Sequence, residues 1–174
     1  MKDKLFCSVK EAKVKYTNVL KLAKQMTHNF HGLVQSQRGL AEALTDLGMK
    51  SPELQNEFNH NAESQRSLVH NGEALLEALN FFTSNLTTLV HKTVEDSIVT
   101  VKAYESARIK YDAYRTDLES TQTGPITSAS AVKAEKAKQQ FDVQKEKFDR
   151  LRDDLAIKLR FLEEKKVYSL FTII

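Results

Sequence analysis

From Pro52 to Glu119 the chain runs sixty-eight residues with no proline after the first position and a single glycine, Gly72. Apolar residues recur through it at helical spacing: Leu54, Phe58, Val69, Leu76, Leu79, Phe82, Leu86, Leu89, Val94, Ile98, Val101, Tyr104, Tyr111 and Leu118. The stripe drifts, as on a helix that bends or changes partners. At 1.5 Å per residue such a helix spans about 100 Å. A compact domain of this chain length has a radius of gyration near ~16 Å. The helix does not fit inside a globule, so the sequence predicts an elongated molecule whose apolar stripe needs further helices to cover it.

The segment before it has the same character. Positions 5, 9, 12, 16, 19, 23, 26, 30, 33, 37, 40, 44 and 47 hold Leu, Val, Ala, Tyr, Val, Ala, Met, Phe, Leu, Gln, Leu, Leu and Leu. The steps alternate four and three, which is the heptad period of a coiled-coil seam. Gly32 and Gly39 lie off it. Between the two segments stands LTDLGMKSPELQ (44–55). Gly48 is expected to close the first helix in the left-handed conformation. Ser51 is expected to cap the next, with Pro52 in its first turn, where a proline loses no hydrogen bond. The stretch predicts a helical hairpin.

STQTGPITSAS (120–130) is small, polar and uncharged around Gly124-Pro125, and reads as a tip loop. A third helix follows, its seam set by Ala134, Phe141, Phe148, Leu155 and Leu162, with Leu151 and Leu159 beside it. The predicted architecture is all-α: an elongated antiparallel three-helix coiled coil with helices at about 2–48, 52–119 and 131–166. An apolar tail follows at 167–174. Folding the third helix back from the tip places 131–166 beside roughly 84–119. Residues 53–80 then keep only the first helix as neighbour, and Leu54, Phe58, Val69, Leu75, Leu76 and Leu79 are expected to lack full cover. The chain is therefore expected to be a poor dimer by itself, frayed over 1–80 or self-associating through the 53–80 stripe and the tail.

The remaining composition excludes more than it assigns. Cys7 is the single cysteine, so no internal disulfide forms and a reducing compartment is expected. MKDKLFCSVKEAK has no apolar signal core, and no run approaches the roughly 20 apolar residues of a membrane span. A net charge of +3 is too small to argue for nucleic acid. His28 and His31 share a helix face but no Cys, Asp or Glu joins them at ligand spacing, so no metal site is expected. No phosphate loop, nucleophile elbow or zinc-protease motif occurs. The carboxylate pairs Glu95-Asp96, Asp153-Asp154 and Glu163-Glu164 read as solvated helix faces, and Tyr104, Tyr111 and Tyr114 as core. No active site, cofactor or enzymatic function is expected.

Three stretches carry a resemblance: KSPELQNEFNHNAESQRSLVHNGEALLEALNFF (50–82), TVEDSIVTVKAYESARIKYDAYRTDLE (93–119) and KFDRLRDDLAIKLRFLEE (147–164). Together the chain closely resembles the arfaptins, the arfaptin-homology branch of the BAR superfamily, from about Tyr16 to Glu164. The resemblance implies that 1–166 is an arfaptin-homology domain forming a crescent homodimer. It implies partners: GTP-loaded small GTPases of the Arf-like and Rac kinds, and curved phosphoinositide-bearing membranes at the trans-Golgi, reached from the cytoplasm. Against the family pattern, the chain starts inside the first helix and KKVYSLFTII replaces the end of the third, so it is read as a domain shortened at both ends.

Two sets of residues are candidates for these contacts. Ile157 and Phe161 are four apart and off the third seam, and Val99 and Ala103 are likewise four apart beside Ile98. Antiparallel packing sets the two pairs at similar heights. With Asp96 and Thr100 they form the expected GTPase surface: Asp96, Val99, Thr100, Ala103, Ile157 and Phe161. Toward the distal arm, Lys102, Arg108, Lys110, Lys133, Lys136 and Lys138 are the expected membrane contacts, each well-placed cation contributing about 1 kcal/mol against an anionic bilayer. The rival reading is a purely structural coiled-coil spacer without a ligand.

Overall fold

A computed structural model of the chain describes residues 2–123 and 128–171. Helix α1 is Lys2–Lys50. A 3₁₀ turn, Pro52–Leu54, leads into α2, Gln55–Thr88. A π-helical segment, Leu89–Val94, joins α2 to α3, Glu95–Gln122. Helix α4 is Ser128–Phe171. The described residues contain no strand. The fold is all-α, with three long helical paths.

Three boundaries differ from expectation. Gly48 is not a left-handed cap: no described residue has positive φ, and α1 continues two residues past it. Ser51 is the one non-helical residue of the hairpin, and its side chain makes no capping bond. Instead its backbone N–H donates to Gly48 O (3.4 Å), and Leu54 N–H donates to Ser51 O (3.1 Å). The tip is tighter than 120–130, because the hydroxyls of Ser120 and Thr121 donate to carbonyls three residues back and α3 persists to Gln122. Helix α4 starts at Ser128 and outruns Lys166 to Phe171, since no proline or glycine interrupts KKVYSLF. Gly124-Pro125 and Thr172–Ile174 lie outside the described residues.

The chain divides into two compact units. One is built on residues 15–88, the α1–α2 hairpin. Its register is fixed by specific pairs. A Cβ on Gly48 would lie 3.4 Å from Phe58 Cβ, in ordinary contact, so Gly48 packs against the start of α2 and forms no turn. Arg66 donates to Thr45 Oγ1 (2.7 Å), Arg38 pairs with Glu73, and Gly72 sits against Val34 and Phe30. Leu20, Ala23, Val34 and Ala41 of α1 and Ala62, Leu76 and Leu79 of α2 are buried. Half of the predicted α1 seam is corrected by this register. Tyr16, Ala23, Phe30, Gln37 and Leu44 turn inward, whereas Val19, Met26, Leu33, Leu40 and Leu47 stay exposed. Leu20, Val34, Ala41 and Gly48, one position later, are buried in their place. On α2, Leu76 and Leu79 are covered after all, because α1 reaches them; Leu54, Leu68 and Leu75 remain exposed.

The second unit gathers residues 1–14 with 89–168. Here α1's first turns, α3 and α4 form one core: Val9, Leu89, Val90, Val94, Ile98, Val101, Leu155 and Leu162 are all buried. Lys13 pairs with Glu95 to hold the start of α1 in place. Toward the tip, Tyr104 stacks on Phe148 (5.5 Å between ring centroids), and Tyr111 on Phe148 (4.9 Å) and Phe141 (5.5 Å). The two tyrosines are core, as expected, and the α4 seam faces α3. The π segment answers a register problem. Phe82, Leu86, Val90, Val94 and Ile98 are all buried and all four apart. On a plain α-helix such a series would precess by about 40° per step around the axis. The widened turn over Leu89–Val94 reduces that drift where the row passes through it.

Candidate functional site

The π segment, α3 and the end of α4 converge on an open cavity of about 230 Å³ lined by Lys92, Thr93, Asp96, Ser97, Lys158 and Phe161. Lys158 organises it. Its ammonium donates to Asp96 Oδ1 (3.1 Å) and Thr100 Oγ1 (3.0 Å), and Asp154 Oδ2 lies 3.5 Å away on its own helix. Thr100 Oγ1 in turn donates to the Asp96 carbonyl (3.0 Å). The hydrogen bond that Lys158 donates to Asp96, and then the charges of Asp96 and Asp154, raise the Lys158 ammonium above its ordinary value of 10.5, against a lowering by partial burial. The group is a cation at neutral pH and ties α3 to α4.

Around this tie the apolar side chains stay wet. Val99 is 62% exposed, Ile157 69% and Phe161 47%. Phe161 shares its cavity with Asp96. Val99 follows one turn beyond Asp96 on α3, and Ile157 precedes Phe161 by one turn on α4, both toward the tip. Ala103 is half-exposed. Thr100 is buried at 4%, so it supports the surface through Lys158 rather than forming part of it. Lys165 stands 5.3 Å from the Phe161 ring centroid and 5.3 Å from that of Tyr168, a cation over two aromatic faces. Lys92, Thr93, Lys158 and Lys165 went unnoticed in the sequence. The successive four-residue steps at 82–98 were the one signal for the π turn that brings in Lys92 and Thr93.

The distal cations are less uniform. Lys102, Lys110, Lys133, Lys136 and Lys138 are exposed. Arg108 is turned inward: its guanidinium pairs with Glu105 (3.4 Å) and its Nε and Nη2 are buried without a hydrogen-bond partner. Lys133 and Lys136 share a face of α4, whereas Lys138, two residues on, points about 200° away from Lys136. Lys136 also lines a cavity of about 290 Å³ with Tyr114, Gln139, Gln140, Val143 and Gln144. Among the described residues no group of three or more His, Cys, Asp or Glu could hold a metal, and no helix is long and apolar enough to cross a membrane.

A family model described as the Arfaptin-like domain matches residues 4–172. Human Arfaptin-2 is 50% identical over 159 residues, which cover 91% of this chain and 47% of that protein. Human Arfaptin-1 is 49% identical over 159 residues, covering 91% of this chain and 43% of that protein. The chain thus spans about half the length of these relatives. With its all-helical fold and a match over nearly its full length, it belongs to the arfaptin-like domain family.

Proposed function

We propose that the chain is a non-enzymatic trafficking scaffold that receives a GTP-loaded small GTPase of the Arf-like or Rac kind on the surface formed by Asp96, Val99, Ala103, Ile157 and Phe161, with buried Thr100 supporting it through Lys158. The observation that supports this reading is the wet apolar cluster at Val99, Ile157 and Phe161, set beside the Asp96–Lys158–Thr100 tie. Switch regions of small GTPases present apolar side chains to helix pairs, and an aromatic anchor rimmed by charged groups is the composition of a binding hot spot. The tie keeps α3 and α4 in fixed relation, which lowers the ordering cost of binding.

Two further parts complete the function. The stripe of Val19, Met26, Leu33, Leu40, Leu47, Leu54, Leu68 and Leu75 on the hairpin is the proposed homodimer face, being too extended an apolar surface to stay in water. The exposed lysines 102, 110, 133, 136 and 138 supply attraction to an anionic, phosphoinositide-bearing membrane, placing the protein at the periphery of trans-Golgi membranes.

Phe161→Ala tests the central claim. Loss of a large aromatic anchor is expected to cost about 2 kcal/mol or more of binding energy, roughly thirtyfold in affinity. Capture of GTP-loaded Arf-like or Rac protein should fall accordingly while far-ultraviolet helicity is unchanged. Capture at the original affinity would remove the surface from consideration and favour a structural spacer.

A further inference from the structure

Between Glu11 and Glu42 the sequence holds no acidic residue, while Lys13, Lys15, Lys21, Lys24 and Arg38 lie in that span with two histidines. Lys13 and Arg38 are matched with Glu95 and Glu73. Lys24, His28 and His31 are spaced four and three apart, so they stand on one side of α1. There they edge a cavity of about 310 Å³ within the hairpin, completed by Thr27 and, from α2, Leu76, Asn80 and Thr83. No carboxylate lines it.

We infer that Lys24, His28 and His31, with Asn80 across the groove, form a binding site for a phosphate-bearing anion. Lys24 supplies a permanent cation and each imidazole an N–H donor. The Asn80 amide offers further donors from α2. The Thr27 and Thr83 hydroxyls are committed to the carbonyls of Ala23 (2.9 Å) and Asn80 (2.9 Å), and form a polar wall without competing for the ligand. A metal ion is the poorer occupant, because Lys24 repels it and no carboxylate joins the histidines. The site also remains open if the hairpin pairs with another chain. Lys24 and His28 each lie two residues from Met26, and His31 two from Leu33, which puts them on the far side of α1 from the exposed apolar stripe.

The charged neighbours are Lys21, one turn before Lys24, and Glu77, three residues before Asn80; Glu73 is held by Arg38. Glu77 lies one turn before Asn80 on α2, and Glu77→Gln is expected to tighten binding.

The test uses the full chain and two probes. In the first arm, inorganic pyrophosphate is titrated while the histidine ring signals are followed by NMR. His28 and His31 are expected to shift together, with His60, His70 and His91 still. The His28→Gln/His31→Gln variant and Lys24→Gln should each bind about tenfold more weakly, as loss of hydrogen bonds to a charged group implies. Lys145→Gln, an equal change of net charge at an exposed lysine with no part in either proposed site, should leave binding unaltered. The second arm compares phosphatidylcholine vesicles carrying phosphatidic acid or phosphatidylserine. A preference for phosphatidic acid that the double variant loses identifies a lipid headgroup as the source. Ring shifts with pyrophosphate but no such preference identify a soluble phosphate. Equal loss in Lys145→Gln, or immobile His28 and His31 signals with both probes, would overturn the site.

Discussion

Gly72→Ala and Gly39→Ala are the same substitution in two long helices, and the structure assigns them opposite signs. An alanine for glycine in a helix interior gains about 1 kcal/mol from the reduced freedom of the unfolded chain. At Gly39 nothing lies within 4 Å of the added methyl, so the full gain is expected. At Gly72 the methyl would sit 2.7 Å from Val34 Cγ2. Val34 is fully buried, and its β-branched side chain has no spare rotamer in a helix. Relief requires α1 and α2 to part, and overpacking of this kind costs about 1–3 kcal/mol. The net for Gly72→Ala is a loss of up to about 2 kcal/mol, a gap of about 1–3 kcal/mol from Gly39→Ala. Urea denaturation followed by circular dichroism measures both. Adding Val34→Ala to Gly72→Ala should recover part of the loss, because it removes the clashing methyl. Equal stabilisation by Gly72→Ala and Gly39→Ala would refute the close approach, and with it the register of the hairpin.

Leu33→Asp with Leu40→Asp should leave the isolated hairpin folded but abolish self-association, since each leucine forfeits about 1.5–3 kcal/mol of burial when a partner is lost; light scattering that finds the unaltered chain monomeric at all concentrations would contradict the apolar face. Co-sedimentation with anionic vesicles should fall steeply between low and physiological salt, because exposed lysines act through screened charge, and salt-independent binding to neutral vesicles would contradict it. Asp96→Asn removes the principal partner of Lys158. The raised ammonium contributes stability that is fully present below pH 10.5 and is lost as pH climbs through its folded value. The difference in stability between the original chain and Asp96→Asn should therefore be constant at neutral pH and shrink at strongly alkaline pH. Its size should stay below about 1 kcal/mol, because Asp96 is largely solvated.

The sequence by itself determined the class of fold. Sixty-eight residues without an internal proline, two heptad seams and one Ser-Pro hairpin mark long helices, and local spacing records this because helical periodicity is a local property. The α4 seam at Phe141, Phe148, Leu155 and Leu162 was legible for the same reason. Which face of α1 meets α2 was not. A row of leucines at 33, 40 and 47 is as apolar as the row at 20, 34 and 41, and only interhelical contact distinguishes them. The hairpin chose the row with the smaller residues, Val34, Ala41 and Gly48, because small side chains let the backbones approach, and left the leucines for solvent or another chain. The roles of Gly48 and Gly72 were decided by that same approach rather than by their own backbone conformation. At the candidate GTPase surface, Val99, Ile157 and Phe161 could be picked out as off-seam apolar residues. Lys158 could not, because a lysine on a charged helix carries no mark until the opposite helix places Asp96 and Thr100 beside it.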